Sequence, residues 1–301
     1  MKGWLFLALW TICSLVKGQQ SIDLFTLSFK HGFGQPVSGQ PVNAAENVAL
    51  LNLKVPVVFS ESTIWYSDLT YQGFVVNYGE GATGVIDPTR LHGVILQTGL
   101  VRKLSETTGF QLLLAPRFMS DFQEIDQRHF QLGGIGLFEK KYSERLLMRY
   151  GLMYNRELFG HMFVPLVFVN WKLSERWSLN GLLPVFGKLN YQASPRLGMG
   201  LSLFGLITSF QLGDPAYDGD YIERKSVDLS VYGRYQMVGN LHLEARFGYA
   251  LGRSYRQFEE GDEVDFRITI ASFGDDRVQQ NVDFSPGPIV DVRLVYNLPL
   301  D

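Results

Sequence analysis

Beyond residue 18 the chain never runs apolar for long enough to cross a bilayer as a helix, yet apolar residues recur at every second position almost throughout. A period of two is strand geometry, because successive side chains point to opposite faces. If such a chain enters a membrane it does so as a closed barrel, since an open sheet leaves backbone groups unpaired in lipid. Between Arg145 and Arg156, Leu146, Met148, Tyr150, Leu152 and Tyr154 share one face; Arg145, Arg149 and Asn155 lie on the other, with Leu147, Gly151 and Met153 between them. Val227, Leu229, Val231, Gly233 and Tyr235 oppose Arg224, Ser226, Asp228, Ser230, Tyr232, Arg234 and Gln236. Leu241, Leu243, Ala245, Phe247, Tyr249 and Leu251 alternate with His242, Glu244, Arg246 and Gly248. Val290, Val292, Leu294 and Tyr296 alternate with Asp291, Arg293 and Asn297. An apolar face opposite a charged face is what lipid outside and water inside select, although a soluble sandwich also alternates.

The connections separate these two folds. Short turns repeat similar letters at Lys103-Leu104-Ser105-Glu106, Lys141-Tyr142-Ser143-Glu144 and Lys172-Leu173-Ser174-Glu175, with weaker relatives at Ser60-Glu61-Ser62, Ala193-Ser194-Pro195-Arg196 and Val238-Gly239-Asn240. Between consecutive short turns lie two strands joined by a connection that is usually longer: Gly32 to Ala45, Gly79 to Arg90, Ser120 to Gln127, Gly213 to Tyr221, and the acidic stretch Phe258 to Pro286. Short turns on one rim and long loops on the other are the pattern of an outer-membrane barrel. The expected fold is all-β, an antiparallel up-and-down transmembrane barrel of about fourteen strands. Twelve is the other count, because the strands between Trp177 and Ala193 must turn near Pro184 and are short. Tyr142, Trp171, Trp177, Tyr191 and Tyr235 stand beside the short turns, where the aromatic girdle of such a barrel belongs.

Residues 1–18 read as a cleaved signal peptide. Lys2 precedes the apolar run Trp4 to Ile12, and Val16 and Gly18 are small residues at the −3 and −1 positions before Gln19. Residues 19–301 then form one domain. The single cysteine, Cys13, falls in the leader and follows Ile12 rather than a small residue, which argues against a lipid anchor and leaves the mature chain without thiol chemistry. Lys and Arg total 27 against 30 Asp and Glu, a net charge of −3, which argues against a nucleic-acid partner.

The middle of the chain resembles an uncharacterised family of predicted outer-membrane β-barrels common in Bacteroidota. The residues that carry the resemblance are Tyr142-Ser143-Glu144-Arg145-Leu146-Leu147-Met148-Arg149-Tyr150-Gly151, Pro165, Trp171-Lys172-Leu173-Ser174-Glu175-Arg176-Trp177, Leu182-Leu183-Pro184 and Tyr191-Gln192-Ala193-Ser194-Pro195. The resemblance implies an outer-membrane barrel and assigns no activity. Better-known barrels end in an aromatic residue, whereas this chain ends Tyr296-Asn297-Leu298-Pro299-Leu300-Asp301, leaving Tyr296 as the expected assembly signal.

Little in the sequence carries chemistry. His31, His92, His129, His161 and His242 have no Ser or Thr two residues on, and there is no Gly-x-Ser-x-Gly elbow, so only a pair opposed on neighbouring strands stays open for a lipid hydrolase. Asp214, Asp218 and Asp220, and Glu259, Glu260, Asp262, Glu263 and Asp265, lack calcium-loop spacing and read as solvated loops. The candidate lumen residues are Arg149, Asp228, Arg234, Glu244, Arg246, Asp291 and Arg293, which can pair across strands or line a pore. One register of the strands flanking Val238 puts Arg234 opposite Glu244; the neighbouring one puts Tyr232 there. The expectation is a narrow passive channel or a structural barrel, a monomer without cofactor, touching outer-membrane lipids and the barrel-assembly machinery. The alternatives are a lipid hydrolase and a surface binding or adhesion protein using the 258–286 loop.

Overall fold

The computed structural model describes residues 21–217 and 219–299; the expected signal peptide with Cys13, Asp218 and the last two residues lie outside the described residues. Thirteen strands follow one another from the N-terminal side: β1 (Ser21–Pro36), β2 (Asn43–Ser60), β3 (Thr63–Tyr78), β4 (Thr89–Lys103), β5 (Thr108–Ser120), β6 (Phe130–Ser143), β7 (Leu146–Glu157), β8 (Gly160–Lys172), β9 (Trp177–Leu183), β10 (Phe186–Ser194), β11 (Leu197–Gln211), β12 (Tyr221–Val238) and β13 (Leu241–Phe258). A small hairpin, β14 (Phe266–Ile268) and β15 (Ala271–Phe273), precedes the last strand, β16 (Gly287–Pro299). Each wall strand pairs antiparallel with its sequence neighbour, and β16 pairs with both β13 and β1. The wall is therefore a closed barrel of fourteen strands, with β14 and β15 set aside from it.

Alternation places the faces as the sequence implies. Leu201, Val231, Phe247 and Val292 are exposed on the outside, while Ser202, Ser230, Glu244 and Asp291 are buried within. Arg234 stands opposite Glu244, which decides the register of β12 and β13. The repeated turn letters also acquire a physical meaning. Ser105, Ser143 and Ser174 each accept the backbone N–H two residues on, and the Lys at the start of each phrase pairs with its Glu at 3.3, 2.5 and 3.0 Å. Side-chain oxygens of this kind fix tight turns by mimicking backbone.

The loop rim departs from the expected alternation in two places. β7 and β8 join through Leu158 and Phe159 alone, and β9 and β10 through Pro184 and Val185. The β9–β10 hairpin stops well below the rim. β8 is paired with β9 only from Val167 to Lys172, and β11 with β10 only from Leu197 to Phe204. Above that level, from Gly160 to Leu166 and from Gly205 to Gln211, the two strands face a gap on the order of 20 Å tall. β11 does not stay in the wall there. It runs inward across the barrel until Gln211 bridges to Ser120 of β5, and the Phe210 ring meets Phe74 of β3 edge-on at 5.7 Å.

That crossing divides the loop half into two apolar cores. One, around Phe74, Val76, Leu91, Met119, Phe210, Ile222, Tyr255 and Phe284, fills the space between β1–β5 and β11–β13. The other packs Leu113, Ile135, Leu137, Met162, Val164 and Leu166 from β5, β6 and β8 against Tyr221 and Phe258 of β12 and β13.

Close packing of the wall is testable at glycine. A Cβ at Gly151 of β7 would stand 1.8 Å from the carbonyl oxygen of Gly136, whereas a Cβ at Gly233 of β12 meets nothing within 4 Å. Gly151→Ala should cut the yield of the heat-modifiable folded band about tenfold or more, through a backbone clash that must be relieved by distorting the sheet, while Gly233→Ala should leave it unchanged.

Candidate functional site

The short-turn half of the barrel holds the polar interior. On the wall made by β1, β10, β12, β13 and β16, Glu244 is fully buried and accepts from three cations: Arg234 at 2.6 Å, Arg246 at 2.5 Å and Lys188 at 3.1 Å. Arg234 also holds Asp23 through both terminal nitrogens, at 3.0 and 2.9 Å. Asp291 accepts from Arg293 at 2.6 Å and from Ser28 at 2.7 Å, and Asp228 accepts from Lys30 at 2.8 Å. Tyr232 hydrogen-bonds to Asn190 and lies under the Lys188 ammonium. Six of the seven lumen candidates from the sequence therefore stand on one wall.

The seventh, Arg149, lies apart on β7. It pairs with Glu139 at 2.7 Å and stacks over the Phe168 ring. There it borders a cavity of about 120 Å³ at the short-turn rim, lined also by Glu61, Arg102, Lys103, Glu106, Gln111 and Asn170. A polar space of that size has room for several waters.

Asp23, Lys188, Lys30 and Glu46 were not legible as members of this set. In β1 a bulge at Leu24 shifts the phase, so that Asp23 faces inward together with Thr26, Ser28 and Lys30. A period-two reading loses count across such an extra residue. Glu46 sits deeper, between Arg224 at 2.7 Å, Lys30 and Arg253 at 3.5 Å each, with the Tyr255 hydroxyl donating to it.

The long connection from Glu259 to Pro286 does not stand free. Its first part reaches across the gap to β8, where Arg267 and Ile268 pair parallel with Met162 and Phe163. Its last part runs beside upper β13, with Phe284 in the first core and the Val282 and Ser285 N–H groups donating to the Gly84 and Pro36 carbonyls. Its anchor is Glu223 of β12, buried, which takes both terminal nitrogens of Arg267 at 3.0 and 3.1 Å and Arg277 at 2.8 Å. Arg277 in turn holds Asp275 through two bonds, and that hydrogen bonding keeps the Asp275 carboxyl below its usual range. Glu260 and Glu263 pair with Arg128 and Arg156, and Asp220 accepts from Gln257.

Of the aromatic candidates, Tyr142, Trp171, Trp177 and Tyr235 are exposed on the outer surface beside short turns; Tyr191 is half-buried against the Trp177 ring at 4.9 Å. A His–Ser contact exists that the sequence spacing hid. The turn at Gln127–His129 brings His129 Nδ1 to 3.2 Å from Ser120 Oγ. Both residues are fully buried, Ser120 Oγ already accepts the Phe122 N–H, and His129 Nε2 has no hydrogen-bond partner among the described residues, so no third group among them orients the imidazole.

The family model described as Domain of unknown function (DUF6268) matches residues 61–266, from the β2–β3 turn through the gap to the start of β14. The chain belongs to this family. None of the curated proteins matches it. Among solved structures, the DUF6268 chain is similar to an outer membrane channel (COG4313) from Pseudomonas putida F1, at 10% identity over 93% of this chain and 96% of that one, with a TM-score of 0.46. It is also similar to a Pseudomonas aeruginosa FadL homologue, at 11% identity over 94% and 91%, TM-score 0.45. A third is the TodX monoaromatic hydrocarbon channel deltaS2 mutant, at 10% over 97% and 94%, TM-score 0.38. Likeness at this level is to the barrel architecture and says nothing of substrate.

Two outcomes follow. Arg234→Ala leaves Asp23 and buried Glu244 short of a partner and should cost about 3–5 kcal/mol in urea unfolding from bilayers, against about 1 kcal/mol or less for Arg145→Ala at an exposed turn pair. The Asp275 carboxyl is depressed in the folded state, so its contribution to holding the loop is complete above about pH 4, the ordinary carboxylate value, and lost as pH falls through the depressed one. Proteolytic nicking within 259–286 should therefore be flat from neutral pH down to about 4 and rise below it; Asp275→Asn should nick faster at neutral pH.

Proposed function

We propose that this chain is an outer-membrane channel, exported through a cleaved signal peptide, with its short turns and both chain ends in the periplasm. The observation that carries this reading is the polar interior of the short-turn half: the Glu244 ion set on one wall and, apart from it, a cavity of about 120 Å³ at the rim lined by charges of both signs, among them Glu61, Arg102, Glu139 and Arg149. A barrel with only a structural role has no need to hold so many ionised groups inside, because burying them costs several kcal/mol each before pairing offsets it. Paired charges along a lumen instead stiffen the wall and present ions with a polar path of little net bias. The loop half is filled by the two apolar cores together with the buried Glu46 and Arg117–Glu157 ion sets, so this conformation is a closed one. The channel works as a monomer with outer-membrane lipid as its surroundings, reaches the membrane through the assembly machinery, and needs no cofactor.

Planar-bilayer recording of the refolded mature protein tests this. The native chain should show rare, small, discrete steps. Phe210→Ala, which removes the ring packed on Phe74 where β11 crosses the barrel, should raise the open fraction about tenfold, the equivalent of about 1.4 kcal/mol. Silence from both proteins, shown by heat modifiability to be folded, would leave a structural barrel.

A further inference from the structure

The axis of the loop half is blocked by a packed core, and the wall is broken at one side. The break lies at the level of lipid. Following the register from Met162 to Asn155 to Gly133 leads to Phe130 and Leu132, which are 65% and 55% exposed on the outer surface. Behind it lies the second apolar core, where Leu166 and Val164 of β8 face inward.

The edges of the break are built to be uncovered. On the β11 side, Glu157 accepts the Ser209 N–H at 2.9 Å and Gln131 donates to the Ser209 carbonyl at 3.0 Å, so side chains and not the loop satisfy that edge. On the β8 side the stretch the loop leaves uncovered contains Pro165, which has no N–H to lose. In backbone bonds the cover over the break is slight: β14 pairs with two residues of β8, and Val264 and Thr269 add one backbone bond each, to Phe159 and Phe163. Side chains make the rest of the hold: the Glu223 ion cluster, the Glu263–Arg156 pair at 2.6 Å, Arg267 over the Phe159 ring, and Val264 buried in the second core.

We propose that the gap between β8 and β11 is a lateral port, latched by the Glu259–Pro286 loop, through which small uncharged molecules with an apolar body pass between the membrane and the barrel interior. The proposal rests on the channel reading and names its route and substrate class. An apolar molecule finds no cost in leaving lipid for a compartment lined by Leu166, Val164 and Ile207. The polar end of that compartment is unfinished. Arg117 and Gln131 are register partners on β5 and β6, both buried, and Arg117 Nε and Nη2 and Gln131 Oε1 have no hydrogen-bond partner among the described residues. Glu157 already neutralises Arg117 at 2.8 Å, so the oxygen that fits there is a hydroxyl or carbonyl rather than an anion. A buried donor left unpaired costs about 1–3 kcal/mol, which such an oxygen recovers.

The test is thiol labelling at Leu166→Cys, since Cys13 is the only native cysteine and lies in the expected leader. The full mature protein in bilayers is treated with lipid-soluble pyrenyl maleimide or a membrane-impermeant sulfonated maleimide. It is compared with the same protein carrying Glu223→Gln or, independently, Arg267→Gln, each checked for heat modifiability. Releasing the latch should speed pyrenyl labelling about tenfold or more, leave sulfonated labelling slow, and make 1-naphthol a better competitor than naphthalene. Equal pyrenyl rates with and without the latch variants, or faster labelling by the sulfonated reagent alone, would overturn the port while leaving the channel standing. Labelling as expected from a protein that never conducts ions would overturn the channel reading and not the port.

Discussion

In hydrocarbon every backbone N–H and C=O must find its partner within the protein, and the rest of this structure follows from how that demand is met. Fourteen strands closing through β1 and β16 satisfy it over the short-turn half. Over the loop half the β9–β10 hairpin is too short, and the same demand is met by other means. β11 turns inward to β5, Glu157 and Gln131 take over its free edge, and a loop strand borrows part of the edge of β8. The gap, the crossing and the second core are thus consequences of one truncated hairpin.

Burial of charge is the second organising cost. Glu244 and Glu46 each sit among three cations, and the Glu223 cluster binds two arginines, so ionised groups are held in sets rather than isolated pairs. Sets of this kind tolerate burial because each carboxylate oxygen has a donor or a nearby cation. They grade the interior by height, with a polar chamber toward the short turns and two apolar cores toward the loops, interrupted there by the Glu46 set and the Arg117–Glu157 pair.

Much of this was written in the alternation. The closed barrel and the outward faces of β12, β13 and β16 follow from a period of two and from turns spelled with the same Ser and Glu, which left Arg234 and Tyr232 as alternatives opposite Glu244 until the structure chose Arg234. What was hidden had physical reasons. The Leu24 bulge reversed the phase of β1 and concealed Asp23. The residues of β11 alternate whether the strand stays in the wall or crosses the barrel, so nothing in Gly205 to Gln211 announces the turn inward. The 258–286 stretch looked like a solvated acidic loop because the partners of its Glu260 and Glu263, Arg128 and Arg156, lie far off in the chain, and because Arg267, Ile268 and Arg277 have no repeat to reveal their contacts. Ser120 and His129 meet only through a turn whose geometry the spacing does not encode.

The inward course of β11 is the claim on which the sealed interior depends, and one disulfide tests it. Ser120 and Gln211 face each other as backbone partners across the barrel, at a separation that a disulfide spans when side chains of a bridged pair are adjacent. Ser120→Cys/Gln211→Cys, refolded into bilayers and exposed to mild oxidant, should form the cross-link in most molecules while keeping the heat-modifiable fold. A folded double variant that stays reduced under the same oxidant would place β11 in the wall, with an open lumen between it and β5.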